Sequence, residues 1–359
     1  MGTLKRIARH VKMSVCSHTQ AKKRTPPFMV MFINSICNLS CEHCFYWKNL
    51  NQRNDLSYDE FEKLSLELGD FENLNLSGGE PFMHKQFADI VKLFLENNAV
   101  KEVYVPTNGF YTSLTEMQVK QVLESEQIKL FVCEISLDGT EEFHNEFRGH
   151  KKSFQRAMET YDMLVKIQQE DPRLRIHCIS TATDTNMEEI TQLTEYLYER
   201  CPKMDHHNLA IIRGDRKNPS LGGPSLLRYE QLYRHISKIW QPREEQRYGG
   251  SVEPMLQWAK IKTIEEDRQY IKCSAGNMTG VVYANGDVSI CETHAPLGNL
   301  RDKSFFDIWD SDQANQLRAD IKAKKCHCTT EVFMWPSIVY QPIELTHAIY
   351  SARKKWKAD

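Results

Sequence analysis

Between residues 28 and 215 the chain alternates short, nearly continuous apolar runs with longer stretches whose apolar residues recur every three to four positions. The short runs are 28–35, 73–76, 102–106, 130–137, 174–181 and 208–213. The periodic stretches between them are 58–68, 87–97, 116–124, 153–169 and 187–199. A short apolar run bounded by turn residues reads as a strand covered on both faces, and the 3.6-residue period reads as a helix with one packed face. Six such units in series predict an α/β fold with a parallel sheet, either open or curled into a barrel. Polar, glycine-bearing segments directly follow the runs: Ser77-Gly78-Gly79-Glu80, Thr107-Asn108-Gly109, Asp138-Gly139 and Arg213-Gly214-Asp215. Ligands of α/β folds gather at the carboxyl ends of strands, so one functional rim is expected there.

The rest of the chain divides by pattern. Residues 1–27 form a basic N-terminal extension, 28–222 the strand–helix series, and 223–270 a helical linker entered through a Gly/Pro-rich exit at 216–225. A second module spans 271–335, followed by a C-terminal helix at 336–359. In that module Asn285-Gly286 lies between two alternating apolar runs, a type I′ hairpin signal that returns Cys291 toward Cys273.

Composition narrows the classes. With 359 residues, 41% apolar and 26% charged, the chain is globular, and a net charge of −2 gives no case for nucleic acid as a partner. No apolar stretch reaches the ~20 residues needed to span a bilayer, and no signal-peptide core is present, so a cytoplasmic location is expected. Eleven cysteines without paired secreted-type spacing suit a reducing compartment and metal ligation.

Three of them, Cys37, Cys41 and Cys44, lie within eight residues of loop after the first apolar run. Thiolates this dense suit a soft metal centre such as an iron–sulfur cluster. Three ligands fill three corners of a four-iron cube and leave one iron open to a small molecule. A zinc site with His43 as fourth ligand is the alternative. Cys37-Asn-Leu-Ser-Cys41-Glu-His43-Cys44 resembles the CxxxCxxC loop of the radical S-adenosylmethionine (radical SAM) enzymes, with His43 at the usual aromatic position. The resemblance implies a partial, TIM-like (β/α)6 barrel, a [4Fe-4S] cluster and S-adenosylmethionine chelated at the open iron. It also implies reductive cleavage to a 5′-deoxyadenosyl radical that takes hydrogen from an unactivated carbon.

Further motifs carry the same resemblance in order. Gly78-Gly79-Glu80 is similar to the family's GGE motif, which holds the methionine amino group. On their own chemistry, the glycines admit close backbone approach and Glu80 accepts from an ammonium. Thr107 and Asn108 are candidates for the ribose hydroxyls, against an ordinary Asx turn. The segment with Ser136, Asp138 and Arg148 resembles one in which Ser and Arg bind the methionine carboxylate, a group an Arg fork suits. Arg213 and Asp215, at the end of the sixth run, are candidates to position substrate or take a proton, against a simple mutual ion pair.

The 271–335 module resembles a SPASM/twitch domain through Leu297-Gly298-Asn299-Leu300, Phe305-Phe306-Asp307-Ile308-Trp309 and Cys326-His-Cys328. Relatives often carry a further cysteine where Val332 stands here, which leaves too few for two clusters. One auxiliary [4Fe-4S] cluster on Cys273, Cys291, Cys326 and Cys328 is implied, with a zinc ribbon as the alternative. Cys16, Cys133, Cys178 and Cys201 have no partner spacing, and the middle two read as small core residues.

The expected function is a radical SAM oxidation, joining or rearrangement of a small molecule such as a sugar, cyclitol or lipid-linked substrate. The electron donor would be a partner such as flavodoxin or ferredoxin. Only 36 residues precede Cys37, short of a peptide-recognition domain, which ranks a peptide maturase second. A non-enzymatic iron–sulfur or zinc protein is the reading from another class. The first 24 residues hold seven Lys or Arg and no acid, with Leu4, Ile7, Ala8, Val11 and Val15 on one helical face. That face either docks on the body of the protein or meets an anionic membrane surface or partner.

Overall fold

A computed structural model describes residues 3–244 and 252–357; residues 1–2, 245–251 and 358–359, part of the expected N-terminal extension, linker and C-terminal helix, lie outside the described residues. In chain order the elements are α1 (Thr3–His18), β1 (Phe28–Asn34), α2 (Tyr58–Glu67), β2 (Asn73–Gly78), α3 (Phe87–Asn97), β3 (Glu102–Thr107) and α4 (Thr112–Leu123). Then come β4 (Leu130–Ser136), α5 (Glu141–Phe147), α6 (Ser153–Glu170), β5 (Leu174–Ala182), α7 (Met187–Arg200), β6 (His206–Ile211) and α8 (Leu226–Glu244). The remainder is α9 (Glu253–Glu265), β7 (Thr279–Val282), β8 (Asp287–Ser289), β9 (Gly298–Asn299), α10 (Phe305–Trp309), α11 (Asp312–Lys322), α12 (Glu331–Val339) and α13 (Pro342–Lys357).

The chain separates into two units, one of 30–244 with 283–286 and one of 1–29, 245–282 and 287–359. In the first, β6-β5-β4-β3-β2-β1 stand in sequential order, with β2 through β6 paired parallel, an open sheet of the partial-barrel kind. The sixth strand starts two residues earlier than its apolar run, because Asp205 already pairs its backbone N–H with Ile176 O (2.6 Å). The expected linker is not separate: α8 packs on α7 and β6 with Trp240 buried, and α9 belongs to the second unit.

Among β1–β6 only β1 is buried at every position, as a strand covered on both faces should be. In β3, β5 and β6 burial alternates, so the sheet has one dry face and one half-exposed face. Val105, Cys133 and Ile176 sit in register on the dry face, and Cys133 and Cys178 are core residues as expected. On the other face Glu134, His177 and His206 form one row, with Ser136, Ile179 and Asn208 in the next. That face is polar because its neighbour is not a helix layer.

Local signals explain the helices. Ser57 and Glu60 form a reciprocal capping box at α2, with Ser57 N–H donating to Glu60 Oε2 (2.7 Å), worth roughly 1 kcal/mol. In the second unit α9 is buried on nearly all sides, Met255, Leu256, Trp258 and Ala259 meeting Met334, Ile338, Ala348 and Ala352. Its fully buried Lys260 is matched by Glu331 of α12, which satisfies a charge that would otherwise be costly there. The β7–β8 hairpin pairs Val282 with Val288, but its turn differs from expectation. Gly286 alone has positive φ (89°) and Asn285 does not, so this is not type I′, which needs both.

One dry-face polar residue has a pH consequence. His207 is 1% exposed, with Nε2 at 2.8 Å from Ser180 Oγ and Nδ1 at 3.0 Å from Thr194 Oγ1. Ser180 donates its own proton to Leu137 O, so Nε2 carries the imidazole hydrogen and Nδ1 accepts from Thr194. Burial pushes the ring down to about 3. A lowered histidine binds its proton more readily when unfolded, so stability falls as pH drops below about 6.5, by up to ~1.4 kcal/mol per pH unit. Thermal melts between pH 7 and 5 should show this slope, and His207→Asn should make it shallower, leaving the share of buried His43 and His144.

Candidate active site

The cysteine loop leaves the end of β1 and is tied down at several points. Asn51 holds Cys37 from both sides, accepting from its N–H (3.2 Å) and donating to its carbonyl (3.3 Å). Ser40 N–H donates to Arg148 O (3.2 Å) and Glu42 N–H to Phe147 O (3.0 Å). From the other side, Lys217 N–H donates to Cys44 O (3.2 Å) and Asn218 N–H to Glu42 O (2.8 Å). Burial pushes the Cys37 thiol up to about 12, the Cys44 thiol to about 11, and Cys41 upward as well. Such thiols ionise only against a strong positive charge, which is what a metal centre brings.

His43 does not join them. Its ring stacks on Phe147 (centroids 4.8 Å, 9° apart) and its Nε2 faces Asp138 Oδ2 at 3.9 Å. The zinc alternative through His43 therefore lacks its fourth ligand in this geometry. Among the described residues no three His, Cys, Asp or Glu side chains converge as a single-ion site requires.

Gly78 and Gly79 serve a different purpose from the one expected. A Cβ at Gly78 would stand 2.3 Å from Asn34 O, and one at Gly79 2.2 Å from Ile36 O. The close approach is thus to the backbone leaving β1, sealed by Gly79 N–H to Asn34 O (3.0 Å) and Glu80 N–H to Ile36 O (2.7 Å). This seam fixes the cysteine loop against Glu80. The Glu80 carboxylate, 2% exposed, accepts from Asn108 N–H (2.7 Å), Thr107 Oγ1 (2.8 Å) and Phe82 N–H (3.3 Å). Burial lifts it to about 7 against the pull of those bonds and of Arg148. Thr107 spends its hydroxyl on Glu80, while Asn108 closes an Asx turn onto Phe110 N–H (2.9 Å) and donates to Asn38 (3.0 Å). Both residues shape the rim, and the Asx turn is the one anticipated as their plainer role.

Arg148 grips Asp138 through Nε (2.8 Å) and Nη2 (2.6 Å), and turns Nη1 to within 4.0 Å of Cys41 Sγ. Asp138 has no exposure, and its other oxygen accepts from Thr181 N–H (2.9 Å). It reaches the site through Arg148 and His43, whose charges help hold the carboxyl down at about 2 against its own desolvation. Ser136, half-exposed at the end of β4, makes no hydrogen bond through its hydroxyl among the described residues. Arg213 lies over the Phe45 ring (4.3 Å) and exposed Asp215 pairs with Lys48, so both border the cysteine loop after β6.

The second unit gathers its own thiols. Cys273, Cys291, Cys326 and Cys328 line one cavity with Phe333 and Met334. Burial raises Cys273 strongly and Cys291 to about 11, each also feeling the charge of Cys326 and Cys328. Four thiols in a mostly apolar cavity fit an iron–sulfur cluster. Sequence reasoning missed the residue that joins their segments. Buried Gln269 accepts from Cys273 N–H (3.0 Å) and donates to Ile321 O (3.1 Å) and Cys326 O (3.2 Å). It missed Asn51, and Glu134 and His177 beside His206, since only strand register and loop closure bring these into place.

Comparison with known proteins agrees with this geometry. Residues 31–197 match the Radical SAM superfamily and residues 273–329 the SPASM iron–sulfur cluster-binding domain. The chain is therefore a radical SAM enzyme with a C-terminal SPASM domain. Similar proteins include the Fe-coproporphyrin III synthase of Methanosarcina barkeri, 26% identical over 94% of this chain and 82% of that one. Two Bacillus subtilis proteins follow. The sporulation killing factor maturation protein SkfB is 23% identical over 84% and 68% of the two chains, and the subtilosin biosynthesis protein AlbA 24% over 78% and 59%. Among solved structures, anSMEcpe with bound AdoMet superposes with TM-score 0.61 at 16% identity, covering 93% of this chain and 98% of that one, a likeness of fold. Iron–sulfur clusters and S-adenosylmethionine are accordingly its cofactors.

Two outcomes follow. A carboxyl raised to about 7 from a usual value near 4.5 binds its proton more tightly when folded. Stability therefore falls as pH rises through that window, and the full penalty is present at pH 8. Glu80→Gln should raise the melting temperature of the cofactor-free protein at pH 8 and change it little at pH 5. Gln269→Ala should retain about four fewer irons per chain after anaerobic reconstitution, counted by colorimetric assay, with the Cys37 cluster kept.

Proposed function

We propose that this enzyme modifies a peptide, taking hydrogen from an unactivated carbon at the half-exposed face of its sheet. The buried set of Glu80, Asp138 and Arg148 around the cysteine loop is the observation that carries the catalytic part. An electron carrier has no need of an amino-acid-binding rim with two buried carboxylates. With cofactors bound, the reduced cluster and S-adenosylmethionine supply a 5′-deoxyadenosyl radical.

The chain's own residues have distinct tasks in this reading. Cys37, Cys41 and Cys44 hold the first cluster, and Cys273, Cys291, Cys326 and Cys328 hold an auxiliary one. Glu80 accepts from the methionine ammonium, while Thr107 and the Asn108 N–H keep its oxygens aimed. The unpartnered Ser136 hydroxyl and Arg148 Nη1 take the carboxylate, with Asp138 holding the guanidinium in plane. The row of Glu134, His177 and His206, one strand spacing apart, faces the substrate and supplies its polar contacts.

The peptide assignment rests on relatives named for maturation of a sporulation killing factor and biosynthesis of subtilosin. A small organic substrate is the second reading, favoured by the Fe-coproporphyrin III synthase likeness over nearly the whole chain. Reconstituted, dithionite-reduced enzyme should form 5′-deoxyadenosine from S-adenosylmethionine. A Cys37/Cys41/Cys44→Ala variant should form none, and Glu80→Gln should bind S-adenosylmethionine at least about tenfold more weakly. A low-mass fraction of host extract should stimulate turnover, and prior protease digestion should abolish the stimulation. Stimulation that survives protease selects the small-molecule reading, and absence of any 5′-deoxyadenosine overturns both.

A further inference from the structure

The helix α1 presents to solvent the apolar stripe that a helix docked on the protein would bury. Ile7, Val11 and Val15, spaced by four, are 56%, 56% and 55% exposed, whereas Met13 and Cys16 are the side chains turned into the core. The His10 ring packs tilted against Tyr340 (centroids 5.4 Å) and Ser17 donates to Tyr340 O (3.2 Å), which fixes how the helix is rolled. The stripe is thus held outward by packing on its other side. It also continues onto a second element of the same unit. Ser14 and His18, next to the stripe on the helix surface, line a shallow cavity with Pro342 and Ile343, and Ile343 is 84% exposed. Along α13 the exposed face runs on through Ile349 and Tyr350 to Arg353, Lys354 and Lys357.

The charge around this apolar surface is mostly positive, with Glu344 on the cavity wall as the exception. The first 24 residues contain seven Lys or Arg and no acid, and Glu344 is the sole acid in Pro342–Lys357. Lys12 stands exposed one turn from the stripe. A second copy of the chain would bring like charges together, whereas an anionic surface complements them. We propose that α1 and the exposed face of α13 form a docking surface for an anionic membrane leaflet. The apolar side chains enter the headgroup boundary and the basic residues engage lipid phosphates, as interfacial amphipathic helices do. Among the described residues no helix is long and apolar enough to cross a membrane, so the contact is peripheral. It is independent of which substrate the enzyme takes.

Sedimentation of the full chain with vesicles tests this. The protein should pellet with vesicles of phosphatidylcholine containing about one-third phosphatidylglycerol, and not with phosphatidylcholine alone. High salt should release it. An Ile7→Gln/Val11→Gln/Val15→Gln variant should bind about tenfold more weakly at every salt concentration, with 5′-deoxyadenosine formation unchanged. A Lys12→Gln/Arg353→Gln/Lys354→Gln variant should bind more weakly and lose much of the salt dependence. Failure to pellet with anionic vesicles, or equal binding by wild type and the stripe variant, overturns the proposal. So does a dimer in light scattering that the stripe variant dissolves, since the stripe would then be covered by a second copy.

Discussion

A buried ion pair organises the catalytic unit. Asp138 has no contact with solvent, and Arg148 is nearly as enclosed. Burial of two charges is rarely a net gain in stability, but breaking one partner of such a pair costs several kcal/mol because the other is left stranded. The pair therefore acts as a constraint. It joins the end of β4 to the segment after α5, and Arg148 and Phe147 offer their carbonyls to Ser40 and Glu42 of the cysteine loop. His43 closes the same knot by lying flat on Phe147. The loop is held by backbone geometry before any metal centre is added.

The opposite side of the site depends on contact between backbones. Where β2 ends, two glycines let the chain run against the exit of β1, and any side chain there would collide with a carbonyl oxygen. The reward is positional: Glu80 sits beside the cysteine loop with its oxygens already engaged by the first turn after β3. Desolvation raises its proton affinity, and the same desolvation strengthens any charge-assisted bond its carboxylate makes. Stability is given up locally at this buried carboxylate, and strongly perturbed groups of this kind cluster at functional sites.

The half-exposed face of the sheet follows from topology. Helices cover one face of β2–β6, which makes it apolar, and the other face is left to Glu134, Ser136, His177, His206 and Asn208. In the second unit the same division recurs in smaller form. The cysteine segments are joined by side-chain amide bonds from Gln269 across an apolar cavity.

The strands, the helices between them other than α5, and the cysteine spacings were legible in the sequence, because each is a local pattern: an apolar run, a 3.6-residue period, a CxxxCxxC. Turn details were less so. Asn285-Gly286 looks like a type I′ turn, yet Asn285 keeps negative φ, since the Val282–Val288 register leaves five residues between the last pair, not the two of a type I′ hairpin. The sequence by itself determined which chemistry-capable residue types stand at the strand ends, through residue type and distance from a strand end. Only the tertiary structure decided what each one touches. It gave Gly78 and Gly79 to a backbone seam, Thr107 to Glu80, Asp138 to Arg148, and the apolar stripe of α1 to solvent. Those outcomes depend on which distant segment packs against each residue, and helical or strand periodicity reports only that a face exists.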